Sequence, residues 1–425
     1  MAFVAGCGGS SSGGGTQGSK LSIVTASLAG GTQDVAYSAT LLAVGGSGSG
    51  YVWTVSTGAL PAGIALSTGG TLSGTPTATG TASFSVTVKD SAGNTATAAL
   101  SIAVGAAGPL TNYEFTGDTS PVHDPSIIRQ GTTYYVFSTD PPPPVSGYIP
   151  IRCSTDKIAW TACGYVFSAM PAWAAMTVPG ATNIWAPDIS FFNGSYHLYY
   201  AVSVFGTQES AIGLATTPTL DQTDPNYKWT DRGVILTSAV GGDYNAIDPN
   251  ILVDTDGSVW MTYGSYWSGI FQQQIDPVTG EIMPGTTYHL AERAASVAGD
   301  PVEGASLVHV GSYYYLFVSW DTCCAADPTQ DNYKIAMGRA TSVHGPFVDE
   351  NGVDMAAGGG TVLLEGDGVN WSAPGGETAY IDATGGDLIV FHALRISDNY
   401  NDFLFVRTLS FDTGWPVIGD STVSP

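Results

Sequence analysis

The sequence predicts an all-β protein, a five-bladed β-propeller preceded by a small β-sandwich. Three observations carry that expectation. Its 55 glycines and 24 prolines interrupt helices and mark turns along all 425 residues. Its 10 Trp, 21 Tyr and 15 Phe supply aromatic strand formers. After residue 113 a motif of an acid, a short apolar strand, a glycine turn and an aromatic strand recurs five times. The charge narrows the partners: 36 acidic against 12 basic side chains give −24. Phosphate recognition needs clustered Lys and Arg, so nucleic acid is excluded as the expected partner and a neutral or cationic ligand is favoured. No apolar run reaches the ~18 residues of a spanning helix.

Residues 1–20 contain Val4-Ala5-Gly6-Cys7, which resembles the lipobox of bacterial lipoproteins, followed by GGSSSGGGTQGS, a flexible tether. The expectation is an exported protein, cell-surface or secreted, that meets a membrane only through a lipid on Cys7. A chance run of small residues is the competing reading. Across residues 21–105, β-branched and small residues alternate in short runs such as SFSVTVKD, separated by turn residues, as in a sandwich. The stretch Leu60 to Ala96, with its LPAG and SGTP turns, resembles the immunoglobulin-like domains of bacterial surface proteins. With one Trp, no cysteine and few ionisable groups, the module is not expected to be catalytic, and a spacer role is preferred over glycan or cell-wall binding. Residues 106–112 read as a linker.

The propeller is expected over residues 113–425. Its repeats begin at His123, Pro187, Ile247, Val302 and Gly376, and their leading acids are Asp124, Asp188, Asp248, Glu303 and Glu377. A spacing near sixty residues suits a blade of four short strands. Equivalent positions of the first strands face one end of the central channel, so five carboxylates in register should converge. Repulsion makes that costly for stability alone. Asp-Pro as a mere turn marker would explain one instance better than five. Each blade offers a single acid rather than a crowded calcium loop. Acid–base chemistry on a glycoside, with one carboxylate activating water and another protonating the leaving oxygen, is therefore favoured over a metal cage.

Cys153 and Cys163 flank STDKIAWTA as a candidate hairpin clip. Cys323-Cys324 fits either buried thiols or a vicinal bridge, and neither spacing makes a zinc site.

The motifs VHDPSII (122–128), WAPDIS (185–190), YYAVSVFG (199–206), YNAIDPNI (244–251), YGSYWSGI (263–270), VEGASL (302–307) and SWDTCC (319–324) resemble glycoside hydrolase family 43. Within it they look most like endo-acting α-1,5-L-arabinanases. The resemblance implies Asp124 as the general base, Glu303 as the general acid, and Asp248 as the carboxylate that orients Glu303 and raises its pKa. It also implies single-displacement inversion on arabinan, a neutral plant polysaccharide, with base and acid roughly 6.5–9.5 Å apart. Trp185 would be a platform for a sugar ring and Asp188 would shape the site. Phe205, Asn245 and Ser265 match stretches that approach substrate in the family. For the aromatic residues, blade packing is an equal alternative.

One departure concerns an ion. Arabinanases carry Gly-Pro-Gly-His where this chain has Ala373-Pro374-Gly375-Gly376-Glu377, and that histidine approaches an ion at the channel axis. No cofactor is expected for the chemistry. The readings open for a calcium or other ion are that it is absent, held differently, or replaced by the Glu377 carboxylate; His392, whose other reading is a packed core residue, is the other candidate ligand. Exo-arabinofuranosidase or xylan-directed action remains the alternative activity, because closure of the groove by residues 141–147 and 291–301 is not legible. A noncatalytic glycan-binding lipoprotein is disfavoured by the presence of all three acids. A retaining fructan hydrolase is disfavoured by the absence of its Asp-Pro-Asn-Gly motif.

Overall fold

The computed structural model describes residues 20–28, 31–32, 37–74, 76–105, 115–141, 146–382, 384, 386–412 and 414–422. The Cys7 motif, the tether up to residue 19, the linker 106–112 and residues 142–145 of the expected groove loop lie outside the described residues. Two compact units are present, Met1–Ala107 and Gly108–Pro425.

In the first unit a four-stranded sheet runs in the order Gly31–Thr32, Thr95–Gly105, Gly80–Lys89, Val52–Gly58, and a three-stranded one in the order Tyr37–Thr40, Thr71–Gly74, Ile64–Leu66. Alternation along Gly80–Lys89 buries Phe84, Val86 and Val88, which join Trp53, Leu72, Leu100 and Ile102 in one apolar core. Gly74 of the SGTP turn has φ +134, and a Cβ there would lie 2.1 Å from the Gly63 carbonyl of the LPAG turn. The two turns thus pack backbone to backbone, which only glycine permits.

Among the described residues the second unit holds five sheets, each built on an antiparallel meander. Their first strands are β1 (Ser126–Gln130), β2 (Trp185–Phe192), β3 (Asn250–Val253), β4 (Val302–Val310) and β5 (Trp371–Tyr380). The aromatic segments form the second strands, Thr133–Phe137, Ser195–Val202, Val259–Tyr263, Tyr313–Trp320 and Leu388–Arg395. Contacts run from β1 through β5 and back from β5 to β1. Period-two alternation sends successive side chains to opposite sheet faces. Leu316 and Val318 therefore pack toward the third sheet, while Tyr315 and Phe317 pack toward the fifth. A further apolar cluster, including Trp160, Val136, Val390 and Leu404, joins the fifth sheet to the first.

Polar side chains pointing inward from one first strand accept backbone N–H groups of the next. Ser126 Oγ accepts from Ile189 (3.2 Å), Asp188 Oδ2 from Ile251 (2.9 Å), Asn250 Oδ1 from Leu307 (2.8 Å) and Ser306 Oγ from Ala379 (3.0 Å). Two residues before each of these side chains the backbone takes a left-handed turn: Asp124 (φ 46), Ala186 (φ 38), Asp248 (φ 53) and Gly304 (φ 59). Gly376 (φ 57) makes the equivalent turn at β5. This turn sets the structural register, and it corrects the expectation of five acids in register. Only Asp124 and Asp248 occupy the turn itself. Glu303 precedes it by one residue, Glu377 follows by one, and Asp188 follows by two. Non-glycine residues reach this conformation at a cost, Asp less than most.

Candidate active site

The five turns and the residues after them line a narrow cavity of about 30 Å³, faced by Asp124, Asp188, Asp248, Gly304, Glu377 and Tyr333 among others. That is room for about one or two waters. Burial shifts Asp188, Asp248, Glu303 and Glu377 upward, because the charged carboxylate loses its hydration.

Glu303, on β4, accepts the Ser265 hydroxyl at Oε2 (2.5 Å) and the Tyr333 hydroxyl at Oε1. Burial pushes it up to about 7; the Ser265 bond and His123 oppose this, and the Asp124 charge adds to it. Asp248 accepts the Gly304 N–H at Oδ2 (3.2 Å). Burial, then repulsion from Glu303 and Asp124, holds it well above the usual carboxylate range. Asp124, Asp248 and Glu303 therefore stand close enough to share one electrostatic system although they come from three different sheets. Asp124 Oδ2 accepts the Thr139 hydroxyl (2.7 Å), and its Oδ1 faces His123 Nε2 at 3.5 Å.

His123 is held from its other side by Asp402, 3.0 Å from Nδ1. Burial pulls this imidazole down, but Asp124, Asp402 and Glu303 outweigh it and push it up to about 10. His123 is consequently a cation beside Asp124. It stacks on His392, with ring centroids 3.9 Å apart. His392 is buried, and burial together with the His123 charge pushes it down to about 4. Its Nδ1 accepts the Asp124 N–H (3.2 Å). That lone pair is committed to the Asp124 turn, so an ion would have only the other ring nitrogen of His392.

The remaining sequence-derived residues fall in different places. Asp188 accepts from Ser126, Asn250 and Ile251, and burial pushes it up to about 7. It joins three first strands. Ser265 is buried against Glu303, so it acts on the acid. Asn245 is 2% exposed and its amide oxygen accepts from Ser210 (2.7 Å) and Ser238 (3.4 Å). For that oxygen the expected sugar contact gives way to a bond that ties two strands of the second sheet. Trp185 is half-buried at the start of β2, and Phe205 is 68% exposed in the turn after Ser195–Val202.

Sequence reasoning missed His123, Thr139, Tyr333 and Asp402. His123 had a signal, since it adjoins Asp124 within the repeat motif. Tyr333 lies outside the acid-and-strand repeats, and only its place at the head of YKIAMGRA, a stretch of the family resemblance, pointed to it. The family's ion can be tested against the donors present. Glu377 Oε2 accepts the Ser319 hydroxyl (2.6 Å), whereas Oε1 is buried without a hydrogen-bond partner. Burial pushes this carboxyl up to about 8. An orphaned carboxylate oxygen beside Asp124 and Asp248 suits a hard, oxygen-preferring cation.

Buried carboxylates clustered at the first strands of neighbouring β-sheets fit a carboxylate-based hydrolytic enzyme. Residues 119–416 match the model of Glycosyl hydrolases family 43, and residues 20–105 match that of the Putative Ig domain. The chain belongs to glycosyl hydrolase family 43. It is 37% identical over 296 residues to the extracellular endo-alpha-(1->5)-L-arabinanase 1 of Bacillus subtilis, covering 69% of this chain and 87% of that protein. To the extracellular exo-alpha-(1->5)-L-arabinofuranosidase ArbA of Cellvibrio japonicus it is 37% identical over 310 residues, covering 70% and 86%. The solved GH43 endo-arabinanase of Bacillus licheniformis superposes with a TM-score of 0.64 at 38% identity, covering 72% of this chain and 99% of that one.

Proposed function

We propose that the protein is an exported endo-acting hydrolase of α-1,5-linked arabinan that inverts the anomeric carbon. The carrying observation is the grouping of Asp124, Asp248 and Glu303, with the Glu303 proton retained up to a pH of about 7. Asp124 takes a proton from the attacking water, and Glu303 donates one to the departing glycosidic oxygen in the same displacement. Asp248, buried beside Glu303 and itself held above the usual carboxylate range, orients the acid, while burial and the Asp124 charge keep Glu303 protonated. The cation His123 lies beside Asp124 and fixes its carboxylate together with Thr139. Trp185 and Phe205 supply apolar faces for sugar rings.

The ring of contacts from β1 to β5 and back supports a five-bladed propeller over residues 113–425. The two sheets around one core support a sandwich over residues 21–105. The acid–base steps require no cofactor. A calcium-like ion would be held by Glu377 Oε1 with Asp124 or Asp248, and would supply positive charge near the base. A lipid on Cys7 is the expected attachment, and the neutral substrate is compatible with the acidic chain.

Incubation with linear arabinan, followed by product sizing and NMR of the first anomer released, tests this reading. A spread of oligosaccharides with inverted configuration is expected. Arabinose alone from the first turnover would favour the exo reading, which the similarity to the Cellvibrio japonicus protein motivates. Glu303→Ala should abolish arabinan cleavage but spare substrates whose leaving group needs no proton.

A further inference from the structure

Cys323 and Cys324 form a vicinal disulfide, and His123 Nε2 lies 3.6 Å from one sulfur and 3.4 Å from the other. These three donors come from two distant parts of the chain, and Cys324 is exposed. His123, Cys323 and His392 place donor atoms within 4.8 Å of one another. A tetrahedral ion with metal–sulfur bonds of ~2.3 Å and metal–nitrogen bonds of ~2.0 Å has nitrogen-to-sulfur edges of about 3.5 Å. The two observed separations match that edge. In the oxidised protein the sulfurs are bonded to each other and cannot serve as thiolates, which are the metal-binding form.

We propose that reduction of Cys323–Cys324 opens a soft-metal site, made of the two thiolates and His123 Nε2, for a thiophilic divalent ion of the zinc or cadmium class. With a phosphine reductant the step balances. The S–S bond breaks, phosphorus takes oxygen from water and is oxidised to the phosphine oxide, and each sulfur gains a proton; the metal later displaces both of these protons and the Nε2 proton of His123, releasing them to solvent. Carboxylate-rich surroundings alone would favour hard cations; two thiolates and an imidazole favour soft ones. Occupation would draw His123 Nε2 from Asp124 Oδ1, so the metal would also act on the acid cluster.

The test uses the full chain carrying Cys7→Ser, with and without phosphine, titrated with cadmium chloride. The reduced protein is expected to bind one equivalent with a thiolate-to-cadmium charge-transfer band, roughly 100-fold or more tighter than the oxidised protein. The band should survive the further change Cys153→Ser/Cys163→Ser, which removes the other disulfide. It should vanish in Cys323→Ser/Cys324→Ser. Should that double variant fail to fold, Cys324→Ser alone is expected to weaken the band by about half, one of two thiolates being lost. Cadmium uptake that ignores reduction, or a band that persists unchanged without these sulfurs, would overturn the proposal. Loss of arabinan cleavage on adding cadmium is a second readout that rests on the proposed function; the charge-transfer band does not.

Discussion

Ser265 donates its hydroxyl to Glu303 Oε2 across 2.5 Å, tying the loop after Val259–Tyr263 to β4. The bond fixes the acid's rotamer and favours its ionised form, against the burial that raises it to about 7. Ser265→Ala should therefore have two effects. Turnover should fall about tenfold at pH 5–6 through lost orientation, with KM nearly unchanged because the hydroxyl faces the acid. The alkaline limb of the rate profile, set by loss of the Glu303 proton, should move to higher pH. A pH–rate profile of both proteins checks this, and a limb moving downward would contradict it.

Glu377 offers a test through stability. Its burial raises the carboxyl from 4.5 to about 8. The unfolded chain therefore releases this proton above pH 4.5 while the folded chain keeps it until about pH 8. Between those values the unfolded state binds fewer protons, so this residue lowers stability progressively as pH rises, and the penalty levels off above about 8. Glu377→Gln keeps an acceptor for Ser319 and removes the titration. The variant should gain on the order of 4 kcal/mol near pH 7.5 and little below pH 4.5. Urea unfolding across that range measures the difference, and a gain independent of pH would refute the assignment.

Asp188 separates the structural from the chemical acids. Its two oxygens accept from Ser126, Asn250 and the Ile251 N–H. Asp188→Ala would leave a buried backbone donor and an amide unpaired, at roughly 3 kcal/mol. The expected result is a lower urea midpoint, while turnover of the folded fraction falls less than tenfold. A loss of activity as large as that of Asp124→Ala, with stability unchanged, would place Asp188 in the chemistry instead.

The contrast between Asp188 and Glu303 also marks how far the sequence could be read. Period-two alternation and glycine turns carried the strands and the five repeats, because hydrophobic burial imposes both on local sequence. The acid cluster was legible from Asp124, Asp248 and Glu303 in the repeat motifs. Their register was not, because the left-handed turn that defines it is filled by Asp, Ala or Gly, and backbone conformation does not follow from residue type alone. Tyr333 and Asp402 reach the site from outside the repeats, so no spacing announced them. Asn245 looked like a sugar ligand in a motif, but the partner that commits its oxygen, Ser210, lies 35 residues away.

Gly376 stands where the family resemblance leads one to expect a histidine, and its surroundings explain what it does here. It has φ +57, and a Cβ would stand 2.4 Å from Asp124 Oδ1 and 2.9 Å from His392 Nδ1. Gly376→Ala therefore carries two costs, a left-handed penalty of about 1 kcal/mol and a collision with the base. Gly311, in the turn after β4, has φ +63 and nothing within 4 Å of its Cβ position, so Gly311→Ala carries only the first. Both variants should lose similar backbone stability. Displacing Asp124 from its Thr139 bond should reduce turnover about 100-fold in Gly376→Ala alone, with KM shifted little. Equal turnover in the two variants would show that the cavity yields to the added methyl and that the Asp124 position is not set by Gly376.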